Sequence, residues 1–260
     1  MTIIDGKKCA LAIEASIQQR IKEKRLSPVL TFFLVGSDPA STTYIQMKKK
    51  ACKKVGITSK VALFPDTISE KALLEAVQKE NENPQVHGIL VQMPLPSHIH
   101  PLRVIKALDP RKDVDGFHPE NMGKLLLGDP SGIVPCTPKG ILHLLQSIDI
   151  PLQEKNVLIV GRSTIVGKPL AALLLQKTDF APSSVSVAHS RTKSISSLMQ
   201  KADILILHLC TWRIMSCNRC LGFRKYAKLL SCTKRWGPVE TIGSNNLQLF
   251  FASRLYFLAS

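Results

Sequence analysis

The chain has 260 residues, 45% hydrophobic and 21% charged, and a formal net charge of +16 at pH 7. This composition is normal for a globular protein, and the length suffices for one large or two ordinary domains. No apolar run approaches the roughly 18 residues that a membrane helix needs, and the first residues do not combine a basic stretch with an apolar one. We therefore expect a cytoplasmic protein without a membrane partner. The seven cysteines, an odd number, are expected to be reduced thiols.

The positive charge is unevenly distributed along the chain. Residues 208–260 hold eight of the 35 Lys and Arg residues but one of the 19 Asp and Glu residues, so that residues 1–207 have a net charge of only +9. A basic cleft for phosphate groups or a polyglutamylated cofactor explains part of this excess, and a solvated lysine-rich surface explains it equally well. Nucleic acid is not an expected partner.

The first hundred residues alternate apolar strands with helices. Apolar runs and helical spacing predict a strand over 28–35, a helix from the N-cap Ser41 to Gly56, a strand over 61–64, a helix over 70–78 and a strand over 86–92. This alternation predicts a parallel sheet with helices on both faces. Residues 109–140 are rich in Asp, Pro and Gly, and they are predicted to separate this unit from a second one.

A second strand–helix series begins at Lys155. The predicted elements are a strand over 157–160, a helix over 167–176, a strand over 185–188, a helix over 194–201 and a strand over 203–207. This order is typical of a nucleotide-binding half. After Leu207 the composition changes abruptly, because residues 208–260 hold both tryptophans and four of the seven cysteines. Nothing in 208–260 predicts a continuation of the sheet.

The turn over 161–167 (GRSTIVG) lies between a predicted strand and a predicted helix, where a dinucleotide pyrophosphate meets a helix N-terminus. Gly161 permits a tight turn, and Gly167 lets helix and strand approach each other. Ser163 replaces the middle glycine of the usual G-x-G-x-x-G motif, so the motif by itself is weak.

The residues after the next strand indicate which dinucleotide binds. A unit that binds NAD usually has a carboxylate there, whereas this chain has His189-Ser190-Arg191-Thr192. A serine hydroxyl with the guanidinium groups of Arg162 and Arg191 suits a ribose 2′-phosphate. We therefore predict NADP in preference to NAD. An ordinary turn with surface arginines is the open alternative.

A candidate catalytic lysine lies on the first long helix. Tyr44 and Lys48 are four residues apart and share one helix face, which continues through uncharged residues. A lysine on this less polar side is partly desolvated, and desolvation favours the neutral amine that acid/base chemistry uses. Alternatively, Lys48 extends its ammonium group to water like other surface lysines.

Three polar residues lie at or after the end of the predicted third strand. Gln92 falls at the carboxyl end of that strand, where ligands bind in open α/β sheets, and its amide can orient a lysine or a substrate carbonyl. It is otherwise a polar strand end that faces water. Asp113 and Asp115 lie in a loop with too many turn formers to be a core element, where one carboxylate could bind adjacent N–H donors of a ring. A metal site is disfavoured because no ligand cluster accompanies the pair.

Five segments, in this order and spacing, resemble the bifunctional methylenetetrahydrofolate dehydrogenase/methenyltetrahydrofolate cyclohydrolase (FolD-type) family. They are 35–41 (VGSDPAS) with Tyr44 and Lys48, 88–96 (GILVQMPLP), 113–119 (DVDGFHP), 135–140 (PCTPKG) and 161–169 (GRSTIVGKP), within positions 1 to about 207. The resemblance implies an α/β protein with a folate-binding catalytic domain over 1–119 and a Rossmann-like NADP-binding domain over 120–207.

The resemblance also implies roles for single residues. Lys48 would be the acid/base residue of the cyclohydrolase step, Gln92 would tune it, Tyr44 would stack on the folate and Asp115 would anchor the pterin. Arg162, Ser163 and Ser190 would bind NADP. Together with Gly161 and Arg191 of the two turns described above, they form the predicted cofactor site. Family members usually form homodimers through the second domain and act in one-carbon metabolism, which supplies purine biosynthesis.

Residues 208–260 depart from the family pattern. The family continues with a further strand ending in Val-Ile-Asp-Val-Gly and with a Pro-Gly-Gly-Val-Gly-Pro loop, and neither occurs here. The NADP-binding domain is therefore expected to be incomplete, and translation in another reading frame is the leading explanation. One alternative is a catalytically impaired folate or nucleotide binder. Another is a tail in which Cys217 and Cys220, with basic and aromatic residues, form a metal or nucleic-acid module.

Overall fold

A computed structural model describes residues 4–148, residues 150–207 and the backbone of a strand at Lys228–Ser231. The described chain forms two compact units. The first comprises Leu11–Lys124 and Pro130–Val134; the second comprises residues 4–10, Leu125–Asp129 and the described residues from Pro135 onward. No helix in these ranges is long and apolar enough to cross a membrane.

The described residues contain eight α-helices and seven β-strands, with a short 3-10 helix at Leu152–Glu154. The helices are α1 (Gly6–Glu23), α2 (Pro39–Val55), α3 (Glu70–Glu82), α4 (Pro101–Ala107), α5 (Pro119–Leu127), α6 (Cys136–Gln146), α7 (Gly167–Leu174) and α8 (Ile195–Lys201). The strands are β1 (Val29–Val35), β2 (Thr58–Phe64), β3 (Gly88–Val91), β4 (Asn156–Val160), β5 (Ser184–Ala188), β6 (Ile204–Leu207) and β7 (Lys228–Ser231).

The first unit contains a three-stranded parallel sheet in the order β2-β1-β3. Its central strand β1 is a near-continuous apolar run, as expected for a strand covered on both faces. Successive side chains point to opposite sides. Phe33 packs in a cluster with side chains of α3 and α4, whereas Phe32 packs in another cluster with Ile45 and Cys52 of α2. The predicted parallel sheet with helices on both faces is confirmed for this unit.

Helix α2 begins earlier than predicted. Its N-cap is Asp38, whose Oδ2 accepts a hydrogen bond from the Ser41 backbone N–H at 2.7 Å, and Pro39 occupies the first turn. The prediction that Ser41 is the N-cap is wrong, because proline favours the first helical position and places the preceding carboxylate as the acceptor. The predicted end is confirmed: Gly56 has a φ of +88° and its N–H returns to the carbonyl groups of Cys52 and Lys53.

The second unit contains a four-stranded parallel sheet in the order β5-β4-β6-β7. Strand β7 pairs with β6 from Ile204 opposite Lys228 to Leu207 opposite Ser231. The prediction that residues 208–260 add nothing to the sheet is therefore wrong at Lys228–Ser231. Four residues are too few to show a strand period, and β7 is defined by the backbone groups that the edge of β6 offers for pairing.

Four helices lie where none was predicted: α1, α4, α5 and α6. Helices α4 and α5 each begin with a proline, and α6 carries Pro138 in its first turn. Proline is compatible with the first turn because the N–H that it lacks has no acceptor within the helix. Residues 109–140 therefore include helical segments, although their proline and glycine content predicted only a separator.

Candidate functional site

The candidate catalytic lysine lies in the first unit, on the third turn of α2. Lys48 is half-buried, as is Tyr44 one turn earlier on the same helix face. Helix α2 packs against the sheet through Ile45 and Cys52, so its position relative to β1 and β3 is fixed by apolar contacts. The Lys48 ammonium group donates a hydrogen bond to Gln92 Oε1, with Nζ 3.4 Å from the oxygen.

The amide of Gln92 is oriented by backbone groups. Gln92 directly follows β3, and its backbone N–H donates to the Phe33 carbonyl at 2.9 Å. Its side-chain Nε2 donates to the Met93 carbonyl at 2.7 Å. Because this carbonyl holds the nitrogen, the oxygen is the amide atom that faces Lys48. The sequence-predicted pairing of an amide with the lysine is thus present in the geometry.

Asp115 completes a group of polar side chains with Lys48 and Gln92. Asp115 lies in a turn in which the Gly116 N–H donates to the Asp113 carbonyl at 3.2 Å, and Gly116 has a φ of +68°. Burial raises the pKa of the Asp115 carboxyl; the charge of Lys48 opposes the rise, and the charge of Asp113 adds to it. Asp115 is therefore within electrostatic range of Lys48.

Lys48 also acts on the thiol of Cys52, one helical turn further on. Burial raises the pKa of Cys52 to about 12, although the charge of Lys48 works against this rise. Cys52 is fully buried and packs in the core under α2. Its thiol is therefore protonated near neutral pH and serves as a packing residue beside the lysine.

The burial of two polar residues in this region was not predicted. Asp113 is 1% exposed and pairs with Ile89 in an isolated parallel β-bridge, so the loop with many turn formers does reach the core. Asn121 on α5 is 2% exposed and donates to Asp113 Oδ2 at 3.1 Å. The sequence shows the acidic pair, but no sequence pattern indicates that Asn121, eight residues after Asp113, is its hydrogen-bond partner. The bond depends on how the loop folds back onto α5.

The glycine-bearing turn of the second unit has the predicted strand–turn–helix setting between β4 and α7. A Cβ atom placed on Gly167 would lie 2.1 Å from the Gly161 carbonyl oxygen, so only glycine fits there. Ser163 Oγ accepts hydrogen bonds from the backbone N–H groups of Val166 at 3.1 Å and Gly167 at 3.2 Å. With the oxygen satisfied by these two donors, the hydroxyl proton is left to donate to an acceptor such as a phosphate oxygen.

The turn after β5 lies at the same edge of the second sheet. Val160 and Ala188 are in register at the ends of β4 and β5, and the Gly161 N–H donates to the Ala188 carbonyl at 2.8 Å. The turn is closed by two hydrogen bonds: the Thr192 N–H donates to the His189 carbonyl at 2.8 Å, and the His189 N–H donates to Thr192 Oγ1 at 2.9 Å. Its two central residues, Ser190 and Arg191, are exposed, as is Arg162 after β4. All five residues that are predicted to bind NADP thus lie at this edge of the second sheet: Gly161, Arg162, Ser163, Ser190 and Arg191.

Residues 4–148 and 150–207 contain no cluster of three or more His, Cys, Asp or Glu side chains that could hold a metal ion. The Cys217 and Cys220 pair and the family departures after Leu207, other than at Lys228–Ser231, lie outside the described residues. A metal or nucleic-acid module there stays a prediction.

The first unit groups a lysine, an amide and a carboxylate beside a parallel sheet, and the second has a nucleotide-type turn, so the protein belongs to the class of two-unit α/β proteins with a dinucleotide-binding fold. More specifically, the chain belongs to the tetrahydrofolate dehydrogenase/cyclohydrolase family. The family's catalytic-domain sequence model matches residues 4–115, and its NAD(P)-binding-domain model matches residues 135–217. The second match extends about ten residues past the predicted departure.

Individual relatives agree with this assignment. The chain is 44% identical over 209 residues to the bifunctional protein FolD of Enterococcus faecalis, which covers 79% of this chain and 73% of the relative. The crystal structure of the bifunctional FolD enzyme from Campylobacter jejuni is 42% identical, with a TM-score of 0.75, and the match covers 80% of this chain and 73% of that one. The Trypanosoma brucei FolD structure, complexed with NADP cofactor and inhibitor, is 31% identical with a TM-score of 0.73 and covers 79% and 71%.

Proposed function

We propose that this protein oxidises methylenetetrahydrofolate with NADP and hydrolyses the methenyl product to formyltetrahydrofolate. The observation that carries the proposal is the hydrogen bond from Lys48 to the fixed amide oxygen of Gln92, with Asp115 in electrostatic range. This group lies at the carboxyl end of a parallel strand, within the residues 4–115 that match the family's catalytic domain. The names of the relatives from Enterococcus faecalis and Campylobacter jejuni support the bifunctional chemistry.

In the proposed hydrolysis, water attacks the cationic methenyl carbon and releases one of its two protons. The other proton passes from the new hydroxyl group to N5 as the bond from the carbon to N5 breaks and the formyl carbonyl forms. Lys48 Nζ is assigned to accept and return this proton. Gln92 holds the ammonium group in place through its Oε1, and the Met93 carbonyl prevents the amide from presenting its nitrogen instead. Asp115 is assigned to the N–H donors of the pterin ring, and Tyr44 to stacking on the folate. Positioning of the substrate by these groups supplies much of the rate.

NADP fits the residues of the second unit. The close backbone approach at Gly167 forms a tight turn at the N-terminus of α7, where a pyrophosphate would bind, and the hydroxyl of Ser163 can donate a hydrogen bond. Arg162, Ser190 and Arg191 are assigned to the ribose 2′-phosphate, because guanidinium groups pair with phosphate and no carboxylate follows β5 to repel it. When bound, NADP accepts the hydride from methylenetetrahydrofolate. The NADP in the Trypanosoma brucei structure supports this choice.

The finer features belong to the same proposal. Folate binding is assigned to residues 1–119 and NADP binding to residues 120–207. The family resemblance supports a homodimer formed through the second domain, a cytoplasmic location and a supply of one-carbon units to purine biosynthesis. A tail that departs from the family after residue 217 would affect the dehydrogenase first, because the polar group around Lys48 lies within the first unit.

The test is turnover of methenyltetrahydrofolate and of methylenetetrahydrofolate by the purified full chain. We expect Lys48→Ala to abolish the hydrolysis while folate binding stays within about tenfold, because the lysine transfers a proton and does little anchoring. Lys50→Ala is the matched control, since Lys50 is an exposed lysine on the same helix. Unchanged hydrolysis in Lys48→Ala would remove Lys48 from the mechanism. Folate binding without turnover by the unaltered chain would identify the impaired binder instead.

A further inference from the structure

Asp113 and Asn121 form a buried polar pair beneath the turn that carries Asp115. Asp113 Oδ2 accepts two hydrogen bonds, one from the His118 backbone N–H at 2.7 Å and one from Asn121 Nδ2 at 3.1 Å. The Asp113 carbonyl also accepts the Gly116 N–H at 3.2 Å. Asp113 is thus hydrogen-bonded to the backbone of two residues that follow it, Gly116 and His118. Asp115 lies within the segment that these bonds close.

Asn121 joins this closed segment to two other parts of the first unit. Its Nδ2 has two protons, which are donated to Asp113 Oδ2 and, at 2.8 Å, to the Pro110 carbonyl. Its Oδ1 accepts the Ile133 backbone N–H at 3.1 Å. The amide therefore uses both of its donors and its acceptor in a site that is 2% exposed. Replacing it leaves buried partners unsatisfied, which is costly in a low-dielectric interior.

The residues just before the turn are also held in place by hydrogen bonds. The Ile89 N–H donates to the Lys112 carbonyl at 2.7 Å, so this stretch runs beside β3, the strand that Gln92 follows. The Lys112 ammonium group donates to three carbonyl groups at the end of α3, those of Glu80, Asn81 and Asn83. The turn is consequently held at the same strand end as the Lys48 and Gln92 pair.

We propose that Asp113 and Asn121 are positioning residues, which hold Asp115 in place for the folate substrate through their hydrogen bonds. This proposal deepens, and rests on, the proposed folate chemistry. Asp113 acts through the geometry of its oxygen Oδ2 and does not touch the substrate. Because an asparagine side chain can place an oxygen where Oδ2 stands, Asp113→Asn retains both hydrogen bonds, whereas Asp113→Ala loses both.

The experiment compares full-length variants by calorimetric titration with tetrahydrofolate, by turnover kinetics and by hydrogen–deuterium exchange of the peptides that cover 110–122. We expect Asp113→Ala to weaken tetrahydrofolate binding about tenfold, raise the folate KM, leave the NADP KM within about twofold and speed exchange in these peptides. Asp113→Asn should restore all of these properties. Asn121→Asp keeps the acceptor for Ile133 but loses both donors, so it should behave like Asp113→Ala and provides a second variant if the first does not fold.

The control for general destabilisation is Val77→Ala, which opens the buried cluster on α3 and should lower the Tm without changing tetrahydrofolate binding. The proposal is overturned if Asp113→Ala binds tetrahydrofolate as the unaltered chain does, or if Asp113→Asn is as impaired as Asp113→Ala, which would assign the effect to charge. Should the unaltered chain fail to bind tetrahydrofolate, the proposed function fails. Exchange in the 110–122 peptides of Asp113→Ala then still decides whether Asp113 holds the turn.

Discussion

If Asp115 binds the folate as proposed, function and stability oppose each other at this residue. Burial raises the pKa of its carboxyl, so folding disfavours the ionised form even though Lys48 lies in range. A carboxyl whose pKa is higher in the folded chain contributes stability below its unfolded pKa, and this contribution is lost as the pH rises through the folded value. Ionisation of the Asp115 carboxyl is therefore a cost in stability that the proposed binding site would tolerate.

We predict that Asp115→Asn raises the Tm while it weakens folate binding. The gain should grow as the pH rises above about 3.8, the usual pKa of an aspartate carboxyl, because the variant lacks the group whose ionisation costs stability. Thermal melts of the two chains across this range, together with tetrahydrofolate titrations, provide the measurement. A Tm gain that is the same at all pH values would contradict the assigned cause.

The polar residues of the first unit differ in how far the sequence could predict them. Lys48 is predicted from its helix face and Gln92 from its place at a strand end, and the family resemblance pairs the two. The structure places Lys48 Nζ 3.4 Å from Gln92 Oε1. Asp113 and Asn121 could not be paired in advance. Their hydrogen bond depends on a loop that folds back onto a helix, and the sequence contains no period that describes such a contact.

At the scale of whole elements, strands were easier to predict than helices. Buried parallel strands such as β1 and β4 are continuous apolar runs, and such runs are visible in a single sequence. Helices α4 and α5 start with proline, which the sequence presents as a breaker although the first turn accepts it. Strand β7 could not be predicted in this way, because its four residues are too few to show a period and the strand is defined by its pairing with β6.

Helices α3 and α4 are joined at their N-termini by one carboxylate. Glu70 Oε2 accepts the His100 backbone N–H at 2.7 Å, and Glu70 Oε1 accepts a hydrogen bond from Arg103 at 2.9 Å. The bond to His100 and, next, the bond to Arg103 hold the pKa of Glu70 below its usual value. A lowered pKa contributes stability above the unfolded value, and this contribution is lost as the pH falls through the folded value.

We therefore predict that Glu70→Gln lowers the Tm at neutral pH, because the amide can still accept a hydrogen bond but carries no charge. The difference from the unaltered chain should shrink as the pH drops below about 4.5, the usual pKa of a glutamate carboxyl. Glu75→Gln is the control, since Glu75 forms an exposed pair with Lys71 at 3.9 Å. Thermal melts of the three chains over this range test the prediction, and a difference that persists in acid would refute it.

For the whole molecule, the two units and the two family matches describe the same organisation. The catalytic-domain match lies over 4–115 and the NAD(P)-binding match over 135–217, while the described chain forms two compact units. Strand β7 pairs with β6, so the edge left by a nucleotide-binding half that stops at Leu207 is covered at Lys228–Ser231. An exposed strand edge is a site at which other chains can pair, so this pairing removes such a site along β6.

The last prediction concerns how the dinucleotide stabilises the chain. A ligand that binds only the folded form stabilises it by about 2.7 kcal/mol when its concentration is about 100 times its Kd. Arg162, Ser190 and Arg191 are exposed at one edge of the second sheet, and no carboxylate follows β5. We expect NADP to raise the Tm more than NAD does at equal concentration, because only NADP brings a 2′-phosphate to the guanidinium groups. Arg191→Ala should lose most of this difference, whereas Lys193→Ala, an exposed cation two residues further on, should retain it. Equal Tm shifts with the two dinucleotides, or a full NADP preference in Arg191→Ala, would show that these residues do not select the cofactor.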